Sequence, residues 1–282
     1  MIFASDLDRT LIYSEKFLKD YPHPVKIVEE GRYTSAMTIR AAELLLAIAG
    51  LTTFVPCTTR TIEQYQRINF FRQECRPKYA VVSNGGNLIV DGAVDSAYRE
   101  KVGREMEDSC LPAAHLLKEF QGVCAGGWAA PLKCADELFY YCIVDPLAIP
   151  AELKQFGLWV SEQNWQMSLQ GGKLYFVPKV ISKWSALRKI KEITGEDMVM
   201  AAGDSLLDLP LLINSSYAVF PAHGEICEHI EKLTHKNPEG MSAYKTKASG
   251  LLAGEEILEI LLAWGSRGKQ GGGSRGTVLV LP

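Results

Sequence analysis

Ile2-Phe3-Ala4-Ser5-Asp6-Leu7-Asp8-Arg9-Thr10 is the stretch that decides how this chain is read. A short apolar run stops at two carboxylates set one residue apart. Short apolar runs bounded by polar residues read as buried strands. In α/β sheets, ligands bind just beyond the carboxyl ends of the strands. Alternation carried from the strand into a turn would let Asp6 and Asp8 face a common pocket. Two carboxylates that close repel each other unless a cation lies between them or one holds a proton. The plainer reading is a solvated acidic turn, so the rest of the chain has to decide.

Outward from this strand, helices and strands alternate. Thr34 or Ser35 would cap a helix with apolar positions at Met37, Ile39, Leu44, Leu45 and Ile48, closed by Gly50. Residues 51–55 read as a second strand and 61–68 as a short polar helix. Residues 79–83 read as a third strand, stopped by Asn84-Gly85-Gly86. This rhythm predicts a parallel sheet flanked by helices. It breaks after Gly86, where 87–90, an Asp91-Gly92 turn and 93–94 predict an antiparallel hairpin. One helical stretch over 96–120 follows, then short segments at 138–144, 158–161, 165–169 and 173–178, the last two joined by Gln170-Gly171-Gly172. The βα rhythm returns with a helix at 182–193, a strand at 198–202, a helix at 206–213, a strand at 217–220, and helices at 225–233 and 254–264. The expected organisation is a discontinuous core at 1–86 and 179–264, an inserted α+β domain at 87–178, and a Gly-rich flexible tail at 265–282. Residues 277–281 are apolar enough to dock as a strand, but termini are seldom ordered unless tied down.

Three further segments fall at strand exits or helix starts. In Gly203-Asp204-Ser205-Leu206-Leu207-Asp208, the glycine permits a tight strand exit. Ser205 can cap the next helix, which puts Asp208 in its first turn and makes Pro210 tolerable there. Acids are also favoured at helix starts by the dipole alone, so capping and ligand duty both stay open. Pro56-Cys57-Thr58-Thr59-Arg60-Thr61 ends the second strand ahead of a helix, where hydroxyls and free amides suit a phosphate. Lys183, in Ile181-Ser182-Lys183-Trp184, stands near a helix start. The dipole opposes a cation there, so a bound anion would explain it; Lys179 is its competitor, and a solvated surface lysine is the plain alternative.

Composition bounds the rest. The chain has 282 residues, with 30 Lys+Arg against 33 Asp+Glu, a net charge of −3. It is 47% hydrophobic and 22% charged, enough to bury a large core, so wholesale disorder is excluded. A slightly acidic balance gives no general drive toward nucleic acid or anionic membrane. No apolar run approaches the ~18 residues of a membrane span, and the first residues lack the basic start of a secretory signal. The 7 cysteines include no Cys-x-x-Cys pair. A disulfide framework or thiolate zinc site is therefore not expected, and a cytoplasmic setting is. The five histidines show no zinc-protease spacing; His229 and His235 read as surface residues. Cys57 reads as a small buried hydrophobe beside Thr58. Aromatics at Trp128, Phe139, Tyr140, Tyr141, Trp159, Trp165, Tyr175 and Phe176 alternate in the insert, so about half should face its own core.

Taken in order, Asp6-Leu7-Asp8-Arg9-Thr10, Thr58, Lys183 and Gly203-Asp204-Ser205-Leu206-Leu207-Asp208 resemble the motifs of the haloacid dehalogenase (HAD) superfamily of phosphohydrolases. Asn84-Gly85-Gly86, followed by a hairpin and a large insert before the lysine, resembles its branch with a C2-type α+β cap, the Cof-like and sucrose-phosphatase-like members. The resemblance covers residues 1–264. It implies a Rossmann-like core with an inserted cap, and a Mg²⁺-dependent phosphatase acting on a small phosphorylated metabolite, as a monomer or small homo-oligomer. It also implies roles. Asp6 would be the nucleophile that forms an aspartyl-phosphate, and Asp8 the general acid and then base. Mg²⁺ would be held by Asp6, the backbone carbonyl of Asp8, and Asp204. Lys183 would screen the remaining charge, Thr58 would bind a phosphoryl oxygen, and Asp208 would orient Lys183 or metal-bound water. A phosphomutase and a non-catalytic metabolite-binding regulator are the competing functions on such a scaffold.

Three positions depart from the common pattern. Arg9 and Thr59 stand where glycine is frequent, and Leu207 stands where many capped members carry asparagine. Arg9 would contact an anionic substrate or pair with a nearby acid.

Overall fold

The computed structural model describes residues 1–282 apart from 20, 32–33, 125, 171, 230–241 and 269–282. In chain order, the first elements are β1 (Ile2–Ser5), β2 (Tyr13–Ser14), β3 (Val25–Glu29), β4 (Ser35–Thr38), α1 (Ile39–Leu51), β5 (Thr53–Pro56), α2 (Ile62–Gln66) and β6 (Tyr79–Val82). Then come β7 (Asn87–Val90), β8 (Ala93–Val94), α3 (Ser96–Ser109), α4 (Ala113–Val123), β9 (Lys133–Ala135), β10 (Phe139–Ile143), α5 (Glu152–Glu162), β11 (Trp165–Gln170) and β12 (Lys173–Pro178). The last are α6 (Lys183–Thr194), β13 (Val199–Ala202), α7 (Leu209–Ile213), β14 (Tyr217–Phe220), β15 (Ser242–Lys245) and α8 (Leu251–Gly268).

Five strands form a parallel sheet in the order β15-β14-β13-β1-β5. β1 lies between β13 and β5, and every residue of it is buried. A parallel strand covered on both faces has to be apolar throughout, which is why Ile2-Phe3-Ala4 has no polar interruption. Ile2 and Ala4 pack in one cluster with Val55, Leu187 and Ile190, the last two from α6. Phe3 packs in the opposite cluster with Leu45 and Ile48 of α1 and Ile257, Leu258 and Leu261 of α8. β6 joins beyond β5 through a parallel bridge, Cys57 to Val81, and pairs antiparallel with β7, which in turn pairs antiparallel with β8. The core is thus a parallel sheet flanked by helices, as expected.

The insert carries a separate antiparallel sheet, β11-β12-β10-β9. Its own apolar cluster joins Leu116 and Phe120 of α4, Leu153, Phe156 and Val160 of α5, and Trp165, Leu174 and Phe176 of the sheet. Tyr98 and Val102 of α3 pack instead with the cluster around β1.

Several expected boundaries are corrected. Residues 35–38 form β4, in a three-stranded β2-β4-β3 sheet, and do not open the helix. The Ser35 hydroxyl is spent on Glu29 (3.2 Å), and Thr38 caps α1 by accepting from the Ala41 amide at 2.9 Å. The helix then runs through Gly50 to Leu51. The helix at 96–120 is two helices, α3 and α4, broken at Cys110-Leu111-Pro112. Proline has no amide to continue the ladder and disfavours helical backbone in the residue before it. Residues 158–161 belong to α5, whose Leu153, Phe156 and Val160 are buried on one face. β2, β3 and β15 had no counterpart in the sequence reading. Residues 265–268 finish α8. The rest of the expected tail lies outside the described residues, as do residues 230–233 of the expected 225–233 helix, His235, and Gly171 of the hairpin.

Candidate active site

The Asp6 amide donates to the Ala202 carbonyl (2.9 Å), one step past the paired residues of β1 and β13. The Leu7 carbonyl then accepts from the amides of Thr10, Leu11 and Ile12, closing a tight loop. Arg9 has φ 67°, in the left-handed region that glycine adopts freely, which is the physical reason glycine suits that position. Within the loop, the Thr10 hydroxyl donates to Asp6 Oδ2 at 3.0 Å.

Lys183 opens α6, whose N-cap Ser182 forms a reciprocal capping box with Ser185. The Lys183 ammonium is 1% exposed and lies 2.5 Å from Asp6 Oδ1 and 2.5 Å from Asp208 Oδ1. A buried ammonium is costly unless paired. Burial pushes its pKa down, but Asp208 and Asp6 outweigh that, and the net shift is upward. Lys179 is different: its ammonium bonds the Ser161 carbonyl and hydroxyl on α5.

Asp208 is fully buried and braces the loop after β13. Its Oδ2 accepts from the Asp204 amide (3.1 Å), the Ser205 amide (3.0 Å) and the Ser205 hydroxyl (2.8 Å). A Cβ on Gly203 would lie 2.4 Å from Asp208 Cβ, so only glycine fits under this brace. Leu207 is buried in the cluster around β1.

Asp6, Asp204 and Asp208 each bring a carboxylate oxygen within 4.8 Å of the others. Burial, opposed by Lys183 and reinforced by Asp208 and Asp8, pushes the Asp6 carboxyl up to about 7. Burial and then the charges of Asp6 and Asp208 push Asp204 well above the carboxylate range. Lys183 and the partly exposed Arg9, 3.3 Å from Asp204, are the cations paired with this cluster. A cluster of carboxyls that resists full ionisation, with oxygen donors alone, fits a hard divalent cation.

Asp8 is turned elsewhere. Its two oxygens accept from Arg60 Nε (2.8 Å) and Nη2 (2.7 Å) in a bidentate pair. Burial works against its ionisation, but Arg60 outweighs it and holds the carboxyl below its usual range. Arg60 Nη1 also bonds the buried Glu29 at 2.6 Å, and Arg67 reaches the other oxygen of Glu29 at 3.1 Å. Thr58 is buried at the end of β5. Its hydroxyl accepts from the Arg60 amide (3.1 Å) and its carbonyl from the Asn84 amide (2.9 Å).

Asp6, Lys183, Asp204 and Asp208 therefore converge, Asp8 sits on the same loop facing Arg60, and Thr58 closes the neighbouring strand. Arg9 pairs with Asp204 and also donates to the His223 carbonyl at 3.2 Å. Cys57 is buried, and burial pushes its thiol up, consistent with a packing role. Sequence reading assigned no role to Thr10, Arg60, Glu29 or His223. Thr10 and Arg60 stand inside quoted motifs, so their position was a usable signal. Glu29 lies on β3, a strand the sequence did not announce.

The cap aromatics sort by alternation. Trp128, Trp165 and Phe176 lie in the insert's own cluster, with Tyr140 and Trp159 against it. Phe139 and Tyr175 lie in the cluster around β1, with Tyr141 against it.

No protein-family profile matches the chain, and no curated protein matches it in sequence. Solved structures do match. Sucrose-phosphatase from Synechocystis, in complex with sucrose and phosphate, is similar at TM-score 0.65 and 17% identity, over 94% of this chain and 97% of its own. The HAD subclass IIB sugar phosphatase BT4131 is similar at TM-score 0.62 and 11% identity, over 94% and 98%. A trehalose-6-phosphate phosphatase related protein is similar at TM-score 0.51 and 12% identity, over 95% and 100%. The chain shares the fold of these proteins over nearly its whole length.

Proposed function

We propose that the protein is a HAD-type, divalent-metal-dependent phosphohydrolase that cleaves a small phosphomonoester, with a phosphorylated sugar or similar polar metabolite as substrate. The observation that carries this is the buried Lys183 bridging Asp6 and Asp208, with Asp204 alongside.

Asp6 attacks phosphorus, forming a carboxylate oxygen–phosphorus bond as the ester oxygen departs. Asp8 gives that oxygen its proton, because an alkoxide is a poor leaving group; such transfer is worth roughly 10²–10⁴-fold. Water then attacks the aspartyl-phosphate, Asp8 takes its proton back, and inorganic phosphate leaves. Two displacements replace one harder step. Thr10 and Lys183 hold the two oxygens of Asp6 in place beforehand. Lys183 offsets charge that builds as carboxylate meets phosphoryl, and Thr58 takes a phosphoryl oxygen. Mg²⁺ would be held by the oxygen donors of Asp6, Asp204 and the Asp8 carbonyl, and would supply positive charge that offsets the repulsion between carboxylate and phosphate. For its acid step, Asp8 must leave Arg60 and gain a proton. A dianionic phosphoryl group competes for Arg60 and raises the proton affinity of Asp8, which favours both.

The division 1–86 and 179–264 as core and 87–178 as insert belongs to the same proposal. The part from Cys110 to Phe176, which has its own apolar cluster, would close over the site and exclude water. The setting is cytoplasmic, the chain a monomer or small homo-oligomer, and neither nucleic acid nor membrane is a partner. Among the described residues no helix is long and apolar enough to cross a membrane.

The test is phosphate release from sugar, nucleotide and cofactor phosphates with Mg²⁺. We expect EDTA-sensitive turnover that Asp6→Asn lowers by roughly 10³-fold or more, the scale of losing a nucleophile. Full activity in Asp6→Asn contradicts the reading.

A further inference from the structure

The face of the insert that looks toward the core carries a cation with no acid to pair it. Along β12, Leu174 and Phe176 enter the insert's own cluster, which puts Lys173 and Tyr175 on the opposite face. β10 adds Tyr141, directly across from Tyr175 in the antiparallel register. The two rings stack with centroids 5.7 Å apart and planes at 28°. The Lys173 ammonium lies 5.9 Å from the Tyr141 ring centroid. The Tyr175 hydroxyl meets Thr59, the neighbour of Thr58, so this face begins at the phosphate-binding strand end. Lys173 is exposed, and none of the ion pairs among the described residues includes it.

This position has a chemical meaning that rests on the phosphohydrolase reading. The phosphoryl group is already matched by Lys183 and the acidic cluster that fits a metal. Asp8 marks the other side of the scissile bond, where the leaving oxygen sits. Lys173 shares the face on which Tyr175 packs against the core with Cys57 and meets Thr59, beyond the residues that hold the phosphoryl group, so it flanks the leaving group. An ammonium beside an aromatic ring, with no carboxylate partner, attracts an anion, while the half-buried Tyr141 ring next to it offers an apolar edge to the body of the ligand.

We infer that Lys173 and Tyr141, with the buried Tyr175 packed behind Tyr141, form a subsite for a leaving group that carries its own anionic group, a carboxylate or a second phosphate, on a polyol or sugar body. The neutral hydroxyls of such a body would leave Lys173 unmatched, whereas a charge-assisted hydrogen bond would satisfy it.

The test uses matched substrates: fructose 6-phosphate against fructose 1,6-bisphosphate, and glycerol 3-phosphate against 3-phosphoglycerate. The first pair isolates a second phosphate and the second a carboxylate, with p-nitrophenyl phosphate as a reference that lacks either. The wild-type protein should favour the anionic member of at least one pair in kcat/KM. Lys173→Met should lower the anionic-to-neutral ratio by about tenfold or more, chiefly through KM, and Lys173→Arg should retain most of it; hydrogen bonds to charged groups are worth that much. An anionic-to-neutral ratio that is the same in wild type and Lys173→Met overturns the inference, as does wild-type preference for the neutral member of both pairs. If the wild type turns over p-nitrophenyl phosphate while the ratio fails to move, the subsite alone is wrong. If it turns over no phosphate ester at all, the phosphohydrolase reading falls and takes the subsite with it.

Discussion

Lys183 carries the most physics per atom in this molecule. At a helix start an ammonium is opposed by the dipole and belongs in water; here it is 1% exposed and held by two carboxylates. The sequence could offer it as a candidate because it stands where the βα rhythm resumes. Its burial was not legible, because that depends on Asp6, 177 residues away in the chain. Glu29 and Arg60 were illegible for the same reason, being partners across 31 residues, with Glu29 on a strand the sequence did not announce. His223 is a smaller case with a clean test. Its Nδ1 accepts from the Gly250 amide (3.1 Å), and its Nε2 bonds the Arg9 carbonyl (2.9 Å), which assigns the proton to Nε2. Burial, with a further push from Arg9, holds its pKa below the ordinary 6.5. The unfolded chain therefore takes up this proton first. The stability involved is present above about pH 6.5 and is lost as pH falls toward the folded value. An NMR titration should place His223 below 6.5, and His223→Gln should flatten that part of the stability profile. A midpoint above 6.5 contradicts the assignment.

At the scale of elements, the candidate active site depends on where α6 starts. The turn after β6 presses against that start. Ser83 and Asn84 both have positive φ, and Gly85 follows at φ +102°. A Cβ on Gly85 would lie 2.0 Å from the Ser182 carbonyl oxygen, the cap of α6. Gly85→Ala must strain its backbone or push α6, and Lys183 with it, away from Asp6. We expect a loss of about 1–3 kcal/mol of stability, the scale of a strained backbone position, and a fall in turnover with it. Gly122→Ala in α4 is the comparison, since a Cβ there meets nothing within 4 Å; it should not destabilise in thermal melts. Equal melting temperatures for Gly85→Ala and wild type contradict this account. The sequence reading placed most of the core strands within a residue or two. It missed helix ends where two hydroxyls compete to cap, as Ser35 and Thr38 do, because only the tertiary partner Glu29 decides between them.

For the whole molecule, alternation of strands and helices with four polar segments at strand exits or helix starts was enough to read a parallel-sheet core and an insert. The antiparallel character of the insert was legible too. Which of its aromatics faces the core was not, because alternation gives two faces without saying which is covered. The fold is shared with sucrose-phosphatase at 17% identity, so it persists where most side chains have changed. What the scaffold is proposed to do rests on a covalent step at Asp6, and that step can be caught. In Asp8→Asn, water activation is lost, while p-nitrophenyl phosphate, with its good leaving group, needs no acid to phosphorylate the enzyme. After reaction with Mg²⁺ and acid quench, peptide mass spectrometry should find one added HPO₃ unit on the peptide bearing Asp6. The Asp6→Asn/Asp8→Asn double variant should show none. Phosphate on a different residue, or its persistence in the double variant, would contradict Asp6 as the nucleophile.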